Sequence, residues 1–119
     1  MNQVGKLQLS HSRQGKVLVT AVSGRLTASG GDLDFRREIA DSLEQGESLF
    51  VLDFHDLQTL DSSGLGELMS AASSIDIAEG RMAWAACPRT MLDLLKITNV
   101  EPAGVDFYDT AAEAAAALG

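Results

Sequence analysis

Two adjacent serines, Ser62 and Ser63, stand between Asp61 and the run Gly64-Leu65-Gly66 in the stretch TLDSSGLGEL. Serines in such company do one of four things. They attack a substrate, help cradle a phosphate, cap a helix, or accept a group that another enzyme delivers.

The nucleophile reading fails on spacing. A hydrolase elbow needs glycine two residues before its serine and two after, so that the chain can take a strained turn. Leu60 stands two before Ser62, and Asp61 stands two before Ser63. A serine nucleophile also needs a base, and the only histidines are His11 and His55. His11 falls in a predicted strand. His55, just past the apolar run SLFVLDF, is the one placed to approach the serines, but a histidine near a loop is more often solvated or structural than catalytic.

The phosphate-cradle reading is also weak. SSGLG lacks the Lys-Ser/Thr ending of a P-loop, and a lone G-x-G in an acidic surround is only a fragment of a dinucleotide fingerprint. In the cap reading, one serine is the N-cap of the following helix, its oxygen accepting an orphaned backbone N–H, while Gly64 and Gly66 allow tight packing near the sheet. One cap uses one hydroxyl and leaves the other free. Beside a helix N-terminus, backbone N–H groups and the helix dipole favour an added phosphate. That phosphate brings about two negative charges next to Asp61, which is felt by a partner rather than by the fold.

The elements that must position these serines follow from periodicity. LQLSHSR and KVLVTAVSG, separated by Gln14-Gly15, read as an antiparallel hairpin. A Ser/Gly loop in RLTASGGDL then opens a helix with Phe35, Ile39 and Leu43 spaced four apart and Gly46 as its stop. SLFVLDF is nearly continuously apolar, as in a strand covered on both faces. Leu65, Leu68, Met69, Ala72 and Ile75 repeat at the helix period, so a helix starts near the double serine. RMAWAAC reads as a second interior strand, Pro88 as the first turn of the helix RTMLDLLKIT, AGVDFYD as a last short strand, and TAAEAAAAL as a surface helix anchored by Leu118. Strands alternating with helices after a hairpin predict an α/β sandwich with a mixed sheet and about four helices packed on it. Sites in such sheets gather at the carboxyl ends of strands, and Ser62 lies just past one.

The chain has 119 residues, 45% hydrophobic and 22% charged, which is ordinary composition for one domain. Its net charge of −8, from 17 acids and 9 bases, argues against nucleic-acid and anionic-membrane surfaces. With no leader-like segment and no apolar run of bilayer length, a cytoplasmic protein is expected. The single cysteine, Cys87, ends the run MAWAAC and reads as a core residue, since a reactive thiol needs a basic neighbour that the sequence does not offer.

The runs LFVLDFHDLQTLDSSGLGELMSA and GRMAWAACPRTMLDLLKITNV resemble the STAS domain of anti-sigma factor antagonists. The family's hallmark is a strand ending in Leu-Asp, a loop with Asp-Ser-Ser-Gly-Leu-Gly, and later a strand leading into a Pro-containing helix that ends with Thr-Gly. Leu52-Asp53, Asp61 to Gly66, Pro88 and Thr98 match, and VTAVSGRLTASGGDL fits the second strand and Gly-x-Leu loop. Thr27 stands where the family often has aspartate, and Asn99 replaces the glycine after Thr98, although asparagine also tolerates the left-handed conformation at a helix end.

The resemblance implies a single STAS domain over residues 1–119. It implies that Ser62, with Ser63 as second choice, is phosphorylated by an anti-sigma factor serine kinase of the histidine-kinase-like ATPase fold. The unphosphorylated form then binds that kinase and frees a sigma factor for transcription, and a metal-dependent serine phosphatase restores it. Asp61, Ser62, Ser63, Gly64, Leu65 and Met69 are the implied docking residues. The domain is expected to catalyse nothing, to hold no cofactor or metal, to bind neither nucleic acid nor membrane, and to be a monomer or weak dimer. The alternative is a non-switching STAS subunit of a signalling scaffold or lipid-transport complex, in which the serines merely cap a helix.

Overall fold

The structure, a computed structural model, describes residues 6–28, 31–102 and 104–119. Strands β1 (Gln8–Gln14) and β2 (Val17–Leu26) pair antiparallel with Gln14 opposite Val17. The two-residue connection is therefore Gly15-Lys16, one residue later than the sequence suggested, because the positive φ of 62° falls on Gly15 at its first position. In the loop that follows β2, Ser29 and Gly30 lie outside the described residues. Helix α1 (Asp32–Glu44) buries Phe35 and Ile39, half-buries Leu43, and is left through Gly46 at φ 89°.

Strand β3 (Leu49–Asp53) is followed by a short strand that periodicity did not reveal, β4 (Leu57–Leu60). Its four residues include exposed Gln58 and Thr59 and only one fully buried side chain, Leu57, so it carries no apolar run. Length explains how β2 holds both: Leu18 to Ala21 pair with β3, and Gly24 to Leu26 pair with β4, in parallel each time. Helix α2 (Ser62–Ile77), strand β5 (Arg81–Ala85), helix α3 (Arg89–Thr98), strand β6 (Val105–Tyr108) and helix α4 (Ala111–Leu118) complete the chain. Ala103, which opened the predicted last strand, lies outside the described residues. The sheet runs β1-β2-β3-β5-β6, with β1 antiparallel and the remaining pairs parallel. Among the described residues, the expected mixed sheet, opening on a hairpin and carrying four helices, is what forms.

Alternation along the strands sends side chains to two cores. Leu18, Val22, Phe50, Leu52, Met82 and Trp84 face α1, α2 and α3, where Phe35, Ile39, Leu68, Ile75 and Met91 meet them. Val17, Val19, Val51, Ala83 and Ala85 face the other way, against Ala114, Ala115 and Leu118 of α4. The unbroken apolar run of β3 is thus explained by cover on both faces. Each fully buried Leu, Phe or Met contributes about 1.5–3 kcal/mol relative to exposure, so this double core holds the frame rigid beneath the site. Trp84 is wholly buried and makes T-shaped contacts with Phe54 and Phe107, at centroid distances of 5.8 and 5.5 Å.

The helix ends are built by local chemistry. Thr110 accepts the Glu113 N–H at 3.1 Å and caps α4. Pro88 sits at the N-cap of α3, one position before the helix rather than inside its first turn. Asn99 closes α3 in the left-handed conformation, φ 55° and ψ 40°, as its side-chain type allows.

Candidate functional site

The site is a corner where the end of β2, strand β4 and the first turn of α2 meet. Asp61 keeps extended backbone, φ −110° and ψ −177°, and caps α2: its Oδ1 accepts the Gly64 N–H at 2.8 Å. The cap is therefore Asp61 and not a serine, which corrects the sequence reading. Aspartate and serine cap equally well. Only the backbone geometry, extended at residue 61 and helical from 62, decides between them. The second oxygen, Oδ2, accepts the Ala28 N–H at 3.1 Å, from the loop that follows β2. Hydrogen bonds to the ionised form, led by the one from Gly64, hold the Asp61 carboxyl below the ordinary aspartate range.

Because Asp61 does the capping, Ser62 and Ser63 become the first two residues of α2. Both are exposed, and neither hydroxyl has a hydrogen-bond partner among the described residues. Both are free for chemistry delivered from outside, next to a helix N-terminus and an ionised carboxylate.

The two glycines of the motif do different things. A Cβ on Gly64 would lie 2.0 Å from the Leu26 carbonyl oxygen, so the first turn of α2 rests on the backbone of β2 only because residue 64 has no side chain. A Cβ on Gly66 would meet nothing within 4 Å. The expectation that both permit tight packing holds for Gly64 and fails for Gly66.

The six predicted docking residues lie between the cap and the end of the second turn of α2, Asp61 to Met69, but they do not share a surface. Ser62 and Ser63 are exposed, while Asp61 and Met69 are half-buried. Gly64 is packed on β2, and Leu65, 4% exposed, points into the core, so these two support the surface from beneath. Sequence reasoning missed Ala28, whose contribution is a backbone N–H and leaves no residue-type signal. It also missed Glu67, one helical turn after Ser63, whose carboxylate is held by the fork of Arg36 on α1, with the Arg36 Nε–H donating at 3.1 Å.

Neither histidine is hydrogen-bonded to the serines. The His55 ring lies 3.0 Å from Asp56 Oδ1, and its backbone N–H donates to Asp53 at 3.0 Å. His11 lies 2.8 Å from Thr20 Oγ1 and 3.2 Å from Glu38 Oε2. Thr27, at the family's frequent aspartate position, is buried and bridges to Gly31. Cys87 is half-buried against the main core, and burial pushes its thiol up to about 12. Among the described residues, no helix is long and apolar enough to cross a membrane.

Comparison with known proteins agrees with this architecture. No curated protein matches the chain significantly. Among solved structures, the Thermotoga maritima protein TM1081 superposes with a TM-score of 0.82 at 22% identity, covering 92% of this chain and 93% of that one. The anti-sigma factor antagonist SpoIIAA in its unphosphorylated form superposes at 0.69 with 21% identity, over 93% and 94% of the two chains. The Bacillus cell fate determinant SpoIIAA in its phosphorylated form superposes at 0.71 with 21% identity, over 95% and 99%. At these identities the likeness is one of fold. The family model described as "Mlab, STAS domain" matches residues 9–107, most of the sequence, and on that match the chain belongs to the STAS domain family.

Proposed function

We propose that this protein is an anti-sigma factor antagonist that works as a phosphate-switched binding module rather than as an enzyme. The observation that carries the reading is the free, exposed hydroxyl of Ser62, one residue past the Asp61 cap. Unmodified, Ser62 permits docking on an anti-sigma serine kinase of the histidine-kinase-like ATPase fold, which releases a sigma factor. In the modifying step Ser62 Oγ forms a bond to the γ-phosphorus of ATP. The bond to the ADP oxygen breaks, and the hydroxyl proton passes to a base of the kinase or to water. The phosphoserine stands in the first turn of α2, where the positive end of the helix dipole favours it even though Asp61 already takes the Gly64 N–H. It also stands beside Asp61, already ionised, so the surface becomes too negative for its partner. A metal-dependent serine phosphatase reverses the step by hydrolysis.

The fold's likeness to SpoIIAA supports this reading, since that antagonist is known in unphosphorylated and phosphorylated forms of one architecture. Ser63 is the second candidate acceptor. The docking surface comprises Ser62, Ser63, the outer edge of Asp61, and Met69, with Gly64 and Leu65 beneath them.

Intact-mass analysis tests the proposal. After incubation with ATP and each histidine-kinase-like ATPase of the same organism, one phosphate is expected on the wild-type chain and none on Ser62→Ala. A wild-type chain left unmodified by all of them overturns it. A second reading rests on the family model's description, which names Mlab. There the chain is a non-switching subunit of a larger complex, and Ser62→Ala leaves partner binding and its regulation unchanged.

A further inference from the structure

Gly66 is a glycine that the fold does not use. It sits one turn into α2, beyond the residues that cap it, with ordinary helical backbone. It is exposed, and a Cβ there would meet nothing within 4 Å. Glycine is the poorest helix former after proline, so an alanine at this position would serve the isolated domain better. The contrast with Gly64, two residues earlier, is direct: there the Leu26 carbonyl forbids any side chain.

Helical spacing puts Gly66 on the same face as the phosphoacceptor. Ser62 lies four residues before it and Ser63 three before it, while Met69 and Ser70 follow at three and four. At Gly66 the exposed helix backbone is open to approach from outside. We infer that Gly66 is a specificity-determining residue of the phosphoacceptor site, its missing side chain letting the backbone of the phosphate-delivering kinase seat against α2 one turn from Ser62. The inference rests on the phosphoacceptor reading of Ser62.

Two variants, Gly66→Ala and Gly66→Leu, test it, since both residues are strong helix formers. The probe is the ATPase that phosphorylates the wild-type chain, loaded with ADP for binding and with ATP for phosphorylation. Both variants are expected to melt about 2–5 °C higher than wild type, as replacing a helix glycine should. Gly66→Leu is expected to bind at least about tenfold more weakly and to be phosphorylated correspondingly more slowly, with Gly66→Ala in between. A lower melting temperature for Gly66→Ala overturns the inference, because the fold then needs the glycine. So does Gly66→Leu binding and accepting phosphate within about twofold of wild type. If the wild-type chain accepts no phosphate, the phosphoacceptor reading falls and takes this inference with it. If wild type is phosphorylated and the variants behave identically, this inference alone falls.

Discussion

Asp61 accepts the backbone N–H of Ala28 at 3.1 Å through one carboxylate oxygen while the other caps α2 through Gly64 at 2.8 Å. One side chain thus fastens the loop after β2 to the first turn of the helix that presents Ser62. Asp61→Ala removes the cap and the loop tie together, and is expected to lower unfolding free energy by about 1–2 kcal/mol. Ser62→Ala removes neither, and should stay within about 0.5 kcal/mol of wild type, as exposed substitutions do. Urea denaturation of the two variants separates them; equal losses would show that a serine shares the capping.

The same bonds set a pH dependence. They hold the Asp61 carboxyl below its ordinary value, so the folded state takes up this proton less readily than the unfolded state. The stabilisation is complete above the unfolded pKa, about 3.9, and is lost as pH falls through the lower folded value. The stability gap between wild type and Asp61→Ala should be level from about pH 5 to 8 and shrink below about pH 4. A gap that is constant down to about pH 2 assigns the effect to something other than this carboxylate.

Gly64→Ala should be far more damaging than any change at the serines. The added methyl would lie 2.0 Å from Leu26 O and 2.8 Å from Leu26 C, both backbone atoms of β2, which β4 holds at this residue. Relief requires moving α2 away from the sheet, at a cost of about 3 kcal/mol or more. Thermal unfolding measures it, and a melting temperature equal to wild type is incompatible with the packing described.

These residues also show how far a sequence can be read. Helix α2 was legible because Leu65, Leu68, Ala72 and Ile75 repeat at the helical period, and β3 because both its faces are covered. The cap was not, because Asp61, Ser62 and Ser63 are three good caps in succession and only backbone angles separate them. Strand β4 was hidden by its length and by exposed Gln58 and Thr59; its pairing depends on β2 extending past β3. Gly64 and Gly66 are the same residue type in one motif, and only the three-dimensional neighbourhood gives them different work.

Cys87 is expected to react slowly. Burial pushes its thiol to about 12. At pH 8 about one molecule in ten thousand then carries thiolate, against roughly a quarter for a free cysteine, so alkylation should be about two thousandfold slower. A colorimetric thiol assay should show slow labelling of the native protein and fast labelling in denaturant. Fast native labelling would mean that the side chain is more open than its half-buried position against the core implies.

Ser62→Asp separates the two consequences of negative charge at this position. At the first residue of α2, a carboxylate interacts favourably with the helix dipole, worth about 0.3–1 kcal/mol, though Asp61 next to it opposes part of that gain. Stability should therefore match wild type or rise slightly. With Ser62 as the proposed phosphoacceptor, binding to the proposed kinase should weaken, because the charge occupies the proposed docking surface. A carboxylate carries about half the charge of a phosphate and fewer acceptor oxygens, so the loss should be partial: about tenfold in affinity, and larger for the phosphorylated chain. Titration calorimetry against the ADP-bound kinase measures both forms. A variant that melts like wild type and binds equally well would leave no electrostatic part in the switch and assign the effect of phosphate to its size.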